Sequence, residues 1–175
     1  MRKGFIVVFG GLLLLAGCGS ADNSPGIPVG PKWKGEPYRI GVDAKAPKPN
    51  PAGITIPAVT FKANPEALET RAVLVLHFTA PLGGGKDPIT QTMIGNAVDI
   101  KGEEGKLPDD YMAQASKGLG EYLGAYCVNG NVKLSVAMAR SSLNPHAADA
   151  EVDAKRLSDW LPLDIPFKPA HSKCK

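Results

Sequence analysis

Ala72-Val73-Leu74-Val75-Leu76-His77-Phe78 is the stretch on which the fold turns. Ala72, Leu74, Leu76 and Phe78 alternate with Val73, Val75 and His77, and both sets are apolar apart from the histidine. That pattern predicts a central strand covered on both faces, and such a strand needs neighbours. Val132, Leu134, Val136 and Met138, alternating with Lys133, Ser135, Ala137 and Ala139 after the Asn129-Gly130 turn signal, supply a second strand. Tyr38, Ile40 and Val42 set against Arg39, Gly41 and Asp43 supply a half-buried third. Ile54 to Ala63 reads as a fourth; Pro57 inside it cannot donate to a ladder, so this strand is expected at a sheet edge or bent there.

Between these runs the helical signals are fewer. Pro108, Asp109 and Asp110 open a helix with acids at its positive end. Tyr111, Ala115, Leu119, Tyr122 and Tyr126 then recur at helical spacing, opposite Gln114, Lys117 and Glu121. Gly120 and Gly124 on that helix permit close backbone approach. Ala147 to Leu161 reads as a last helix, with Glu151 and Lys155 in the favourable order and Pro162 ending it. Asn64 to Glu69 suggests a single helical turn, Ile89 to Ile100 fits either a short helix or a strand, and Gly102 to Asp110 reads as a polar loop. The expectation is an α+β domain: a small antiparallel or mixed sheet of about four strands with two or three helices packed on it.

Upstream of this domain, Met1-Arg2-Lys3 is a positive n-region, and Phe5 to Ala16 is an apolar run too short and too interrupted by Gly10 and Gly11 to span a bilayer stably. It closes on Leu15-Ala16-Gly17-Cys18, an aliphatic residue, a small residue, a glycine and a cysteine. The leader resembles the signal peptide of bacterial lipoproteins. The resemblance implies that residues 1–17 are removed and that Cys18 becomes the lipidated N-terminus, carrying diacylglycerol and usually an N-acyl chain such as palmitate. Each buried methylene adds about 0.8 kcal/mol, so two or three chains anchor durably where one does not. Gly19 rather than Asp follows the cysteine, which by the same resemblance favours the outer membrane where a cell has two. Residues 18–37, rich in Pro, Gly and small polar residues, then read as a tether, with Trp33 between Lys32 and Lys34 facing either the headgroups or the domain; residues 38–175 read as one α+β domain.

Export changes how charge and cysteines are read. The chain's net charge of +3 includes Arg2 and Lys3; without them the basic and acidic residues nearly balance and are interspersed, which offers nothing to a nucleic acid. With Cys18 assigned to lipid, Cys127 and Cys174 remain as a pair, expected to form a disulfide outside the cytoplasm. Chain-entropy arguments give such a staple about 3 to 4.5 kcal/mol. A reactive thiol at Cys127, or a metal pair with His171, is the alternative.

No pattern in the domain names a reaction. Gly83-Gly84-Gly85-Lys86 fails as a phosphate loop, because Ala80 stands where a glycine is needed and Asp87 where Ser or Thr is needed, and it reads as a mobile loop. His77 reads as a satisfied strand imidazole. Glu103, Glu104, Asp109 and Asp110 lie among Lys101 and Lys106, as in a solvated loop rather than a calcium site. Ala46-Pro47-Lys48-Pro49-Asn50-Pro51 is a stiff connector or a proline-recognition ligand. Neither cofactor nor metal is expected. Three functions follow: a non-enzymatic, lipid-anchored envelope protein that docks another envelope or secreted protein, through the edge near Pro57 or the proline segment; a ligand-binding lipoprotein with a groove lined by Tyr111, Tyr122 and Tyr126; and a small hydrolase drawing on His77, His146, Ser141 and Ser142. The first is favoured. A pocket of about 300 Å³ or more would support the second.

Overall fold

A computed structural model of the chain describes residues 37–43, 50–64 and 69–168. In chain order it contains β1 (Tyr38–Val42), β2 (Val59–Ala63), β3 (Arg71–Ala80), β4 (Ile89–Asp99), β5 (Glu104–Lys106), α1 (Asp109–Leu123), β6 (Asn131–Arg140), α2 (Asp149–Lys155) and β7 (Leu161–Pro166). The α+β class holds, but the strands form two antiparallel sheets instead of one, ordered β1-β2-β5 and β4-β3-β6-β7. As its two apolar faces predict, β3 is central, paired with β4 on one side and β6 on the other.

The two faces of β3 enter different cores. Ala72, Leu74, Leu76 and Phe78 join Leu134, Val136 and Met138 of β6, and over them lie α1 and the apolar side chains of β1 and β2, including Tyr38, Ile40, Val59 and Phe61. Val73 and Val75 face a smaller cluster with Ala139, Leu143 and Val152, where α2 and the preceding loop cover part of the sheet. Down this second face the rows grade from apolar to polar: Val75 stands between Ile94 and Ala137, His77 between Thr92 and Ser135, and Thr79 between Thr90 and Lys133.

The structure departs from the sequence expectation at β2, β5, the last helix, β7 and the Gly83 loop, and decides between the two readings of residues 89–100. Pro57 precedes β2 instead of lying in it, and β2 is the middle strand of its sheet, so no edge exists there. The chain before β2 is instead laid across α1: the Ile56 N–H donates to the buried Ser116 hydroxyl at 3.0 Å. Ile89 to Ile100 resolves as strand β4, and three residues of the polar loop pair with β2 as β5. The last helix stops at Lys155, not Leu161, because the next residues join the sheets. Leu157 donates its N–H to the Met138 carbonyl and accepts the Tyr38 N–H, each at 2.8 Å, linking β6 to β1. Pro162 therefore sits inside β7, the second edge of the larger sheet. The Gly83 loop is also held, with Gly83 N–H bonded to the Cys127 carbonyl at 2.9 Å and Leu82 bridged to Val128. The leader, the tether, the helical turn at residues 65–68, most of the proline segment and the tail beyond Lys168 lie outside the described residues.

Two glycines of α1 have opposite roles. A Cβ on Gly120 would collide with Ala52 of the crossing segment, whereas a Cβ on Gly118 would meet only Met93 Cε, at an ordinary 3.8 Å. Gly120→Ala should therefore lower stability by about 1 to 3 kcal/mol through overpacking, and Gly118→Ala should raise it by about 0.5 to 1 kcal/mol through helix propensity. Urea unfolding midpoints of the two variants, moving in opposite directions, check this.

Candidate functional site

The site is built on an irregularity in β4. Val73 pairs with Ala97 and Val75 with Ile94, so Gly95 and Asn96 together face the single residue Leu74, which makes a β-bulge on β4. The bulge shifts the phase of the strand. Met93 and Val98, five residues apart, both pack against the main core, while Ile94 and Ala97 both pack against the smaller one; strict alternation would forbid this.

A bulge leaves ladder groups without partners, and Tyr111 supplies them. Its hydroxyl accepts the Leu74 N–H at 3.0 Å and donates to the Asn96 carbonyl at 2.8 Å. Gly95 makes room for it, since a Cβ there would lie 2.5 Å from the tyrosine oxygen. Burial pushes the Tyr111 phenol above its ordinary value of 10.0, partly offset by the hydrogen bond from Leu74. Beside this bridge, between α1 and β4, lies a pocket of about 170 Å³. Its walls are Leu74, Leu76, Met93 and Ile94 from the strands and Tyr111, Ala115 and Gly118 from the helix, with the neutral amides of Asn96 and Gln114 as its polar groups.

Of the three tyrosines expected to line a groove, this pocket contains only Tyr111. Tyr122 lies three turns further along α1, roughly 16 Å away along the helix axis. It packs edge-on to Phe78 at 5.7 Å and beside Tyr126 at 5.5 Å. A hydrogen bond to Tyr126, and then burial, raise the Tyr122 phenol. These two close the far end of the core, with Tyr126 at 37% exposure. Cys127 follows them and is disulfide-bonded; Cys18 and Cys174 lie outside the described residues.

On the opposite face, His77 belongs to a chain that sequence spacing does not reveal. Its Nδ1 lies 2.9 Å from Thr92 Oγ1, whose hydroxyl donates to Asp149 Oδ1 at 2.9 Å. The threonine's one proton is committed to the carboxylate, so Nδ1 carries the proton of the first bond. Trp160 meets the His77 ring at 6.2 Å and lies under Arg156 at 5.5 Å. Of the remaining hydrolase candidates, Ser142 and His146 take part through main-chain groups: the Ser142 carbonyl accepts from Lys155 and the His146 main-chain N–H donates to Asn144 Oδ1. Among the described residues, no hydrogen bond joins His77 or His146 to Ser141 or Ser142. Lys106 pairs with Asp109 at 2.8 Å, and no three His, Cys, Asp or Glu side chains among the described residues cluster as a metal site. No described helix is long and apolar enough to cross a membrane. No family model, curated protein or solved structure matches the chain.

Tyr111→Phe should cost about 1 to 3 kcal/mol, the penalty of leaving the buried Leu74 N–H unpaired. A phenol whose folded pKa exceeds its unfolded value of 10.0 contributes stability in full below that pH and loses it as pH rises through the folded value. Wild-type stability should accordingly fall more steeply above pH 10 than that of Tyr111→Phe; parallel pH curves for the two would overturn this assignment.

Proposed function

We propose that this chain is a lipid-anchored, extracytoplasmic docking protein, non-enzymatic, which receives an extended segment of another envelope or secreted protein on the free side of β4. The observation that carries the docking role is the character of that edge. β4 is an outer strand of eleven residues, paired only with β3 among the described residues, and it has no proline and no charge before Asp99. Edge strands are ordinarily blunted by charge, proline or short length because their unpaired main-chain groups are a template for another strand. The bulge guards one end of β4, and no described strand pairs with the outer side of the run from Ile89 to Ile94. Among the described residues, only the Gln91 side chain and the Tyr111 hydroxyl reach the β4 main chain from outside the ladder.

The location rests on Leu15 to Cys18, with Cys18 as the lipidated residue and the outer membrane favoured where there is one. The disulfide at Cys127 supports an oxidising compartment, and Cys174 is its proposed partner. The membrane is contacted through the lipid, with no nucleic-acid partner and no cofactor. A small-molecule role has less support, because a pocket of about 170 Å³ is well below the 300 Å³ or more usual for such sites.

Cys18→Ser should move the protein from the detergent phase to the aqueous phase while its thermal unfolding stays unchanged; unaltered partitioning defeats the anchor. In the anchored protein, a photo-crosslinking residue in place of Gln91 should give a discrete adduct that the same residue in place of Glu121, on the outer side of α1, does not. Equal labelling from both positions would contradict docking at β4.

A further inference from the structure

We infer that the pocket beside Tyr111 is a side-chain subsite of the β4 edge, and that the docked segment is extended, uncharged where it crosses, and carries one apolar side chain of leucine or phenylalanine size into it. The inference rests on the docking reading above and adds the chemistry of the occupant.

Three observations specify that chemistry. The first is position. Met93 and Gly95 line both the pocket and the edge strand. Strand addition places alternate side chains of the incoming segment on the α1 side of the sheet, so main-chain bonds to β4 give affinity and the pocket reads one residue. The second is size: about 170 Å³ is far short of a cofactor but close to the roughly 150 Å³ cavity that accepts a benzene ring. The third is charge. The Tyr111 hydroxyl is spent on Leu74 and Asn96, which leaves only neutral amides at the pocket. On the flanking elements Arg71 pairs with Asp99 at 3.0 Å and Lys117 with Glu121 at 3.7 Å, while Asp110, next to Tyr111 in the first turn of α1, adds a negative charge outside the lining. An anionic side chain entering there would lose water and find no counter-charge, and the lining itself offers a cation no carboxylate.

The test uses the full-length lipidated protein in detergent micelles and three capped nonapeptides of threonine with a single central Leu, Gly or Asp. Amide hydrogen exchange of β4 reports strand addition, and titration reports affinity. The Leu peptide should slow exchange across Ile89 to Ile94 and bind at least about tenfold more tightly than the Gly and Asp peptides. Gly118→Leu, which fills the pocket from a lining position whose Cβ meets only Met93 Cε, at 3.8 Å, should erase that preference while the β4 amides are still protected by all three. Equal binding of the three peptides to the unaltered protein would overturn the subsite and leave docking at β4 standing. Absence of β4 protection by any peptide at millimolar concentration would overturn both. Protection of β4 without peptide, in a protein that sediments as a dimer, would assign the edge to a second copy of the chain and also overturn the inference.

Discussion

The hydroxyl of Tyr111 is the constraint around which the larger sheet is arranged. It occupies the gap opened where two residues of β4 face one of β3, and it takes over both the donor and the acceptor that the ladder leaves unmatched. An unpaired buried main-chain group costs about as much as a typical destabilising mutation, so the bulge needs such a partner. In return, the bulge lets both halves of β4 present apolar side chains to the correct core, and it fixes the first turn of α1 over the sheet edge. The pocket lies beside this phenol, between α1 and β4, with Gly95 and Gly118 in its lining.

A second constraint works at the other side of the sheet. Leu157 is bonded to both Met138 and Tyr38, while the buried Ser158 hydroxyl receives the Met138 N–H at 3.0 Å. These few main-chain bonds tie the three-stranded sheet to the four-stranded one, and they explain why α2 is short. Its helical pattern continues past Lys155, yet the residues there satisfy more polar groups as a connector between sheets than as another helical turn. Two edges result. Pro162 and Pro166 lie in β7, while β4 carries neither proline nor lysine.

How much of this could be read from the chain depended on whether a pattern was carried by side chains or by main-chain groups. β3, β6 and α1 were legible because their periods of two and 3.6 run unbroken. β4 was not: the extra residue at Gly95-Asn96 interrupts the alternation and leaves a run that fits helix or strand equally well. β5, three exposed residues, has no pattern to read. Pro57 misled because a proline in an apolar run suggests an edge strand, whereas here the run is two segments, one lying on α1 and one entering the centre of a sheet. Tyr111 was legible as a candidate, but its partners are a peptide N–H and a carbonyl, which leave no mark in the sequence. Its grouping with Tyr122 and Tyr126 followed helical spacing alone, and three turns of helix separate the first from the other two.

A tyrosine closes the bulge of β4, which is an outer strand without charge before Asp99. Native-state amide exchange at Leu74, with Val75 as the internal reference, tests it most directly. Val75 belongs to the β3–β6 ladder and has no part in the tyrosine bridge. The account predicts that the Leu74 amide exchanges as slowly as Val75 in the wild-type protein and far faster in Tyr111→Phe, with Val75 little changed. Equally slow exchange at Leu74 in both proteins would contradict it.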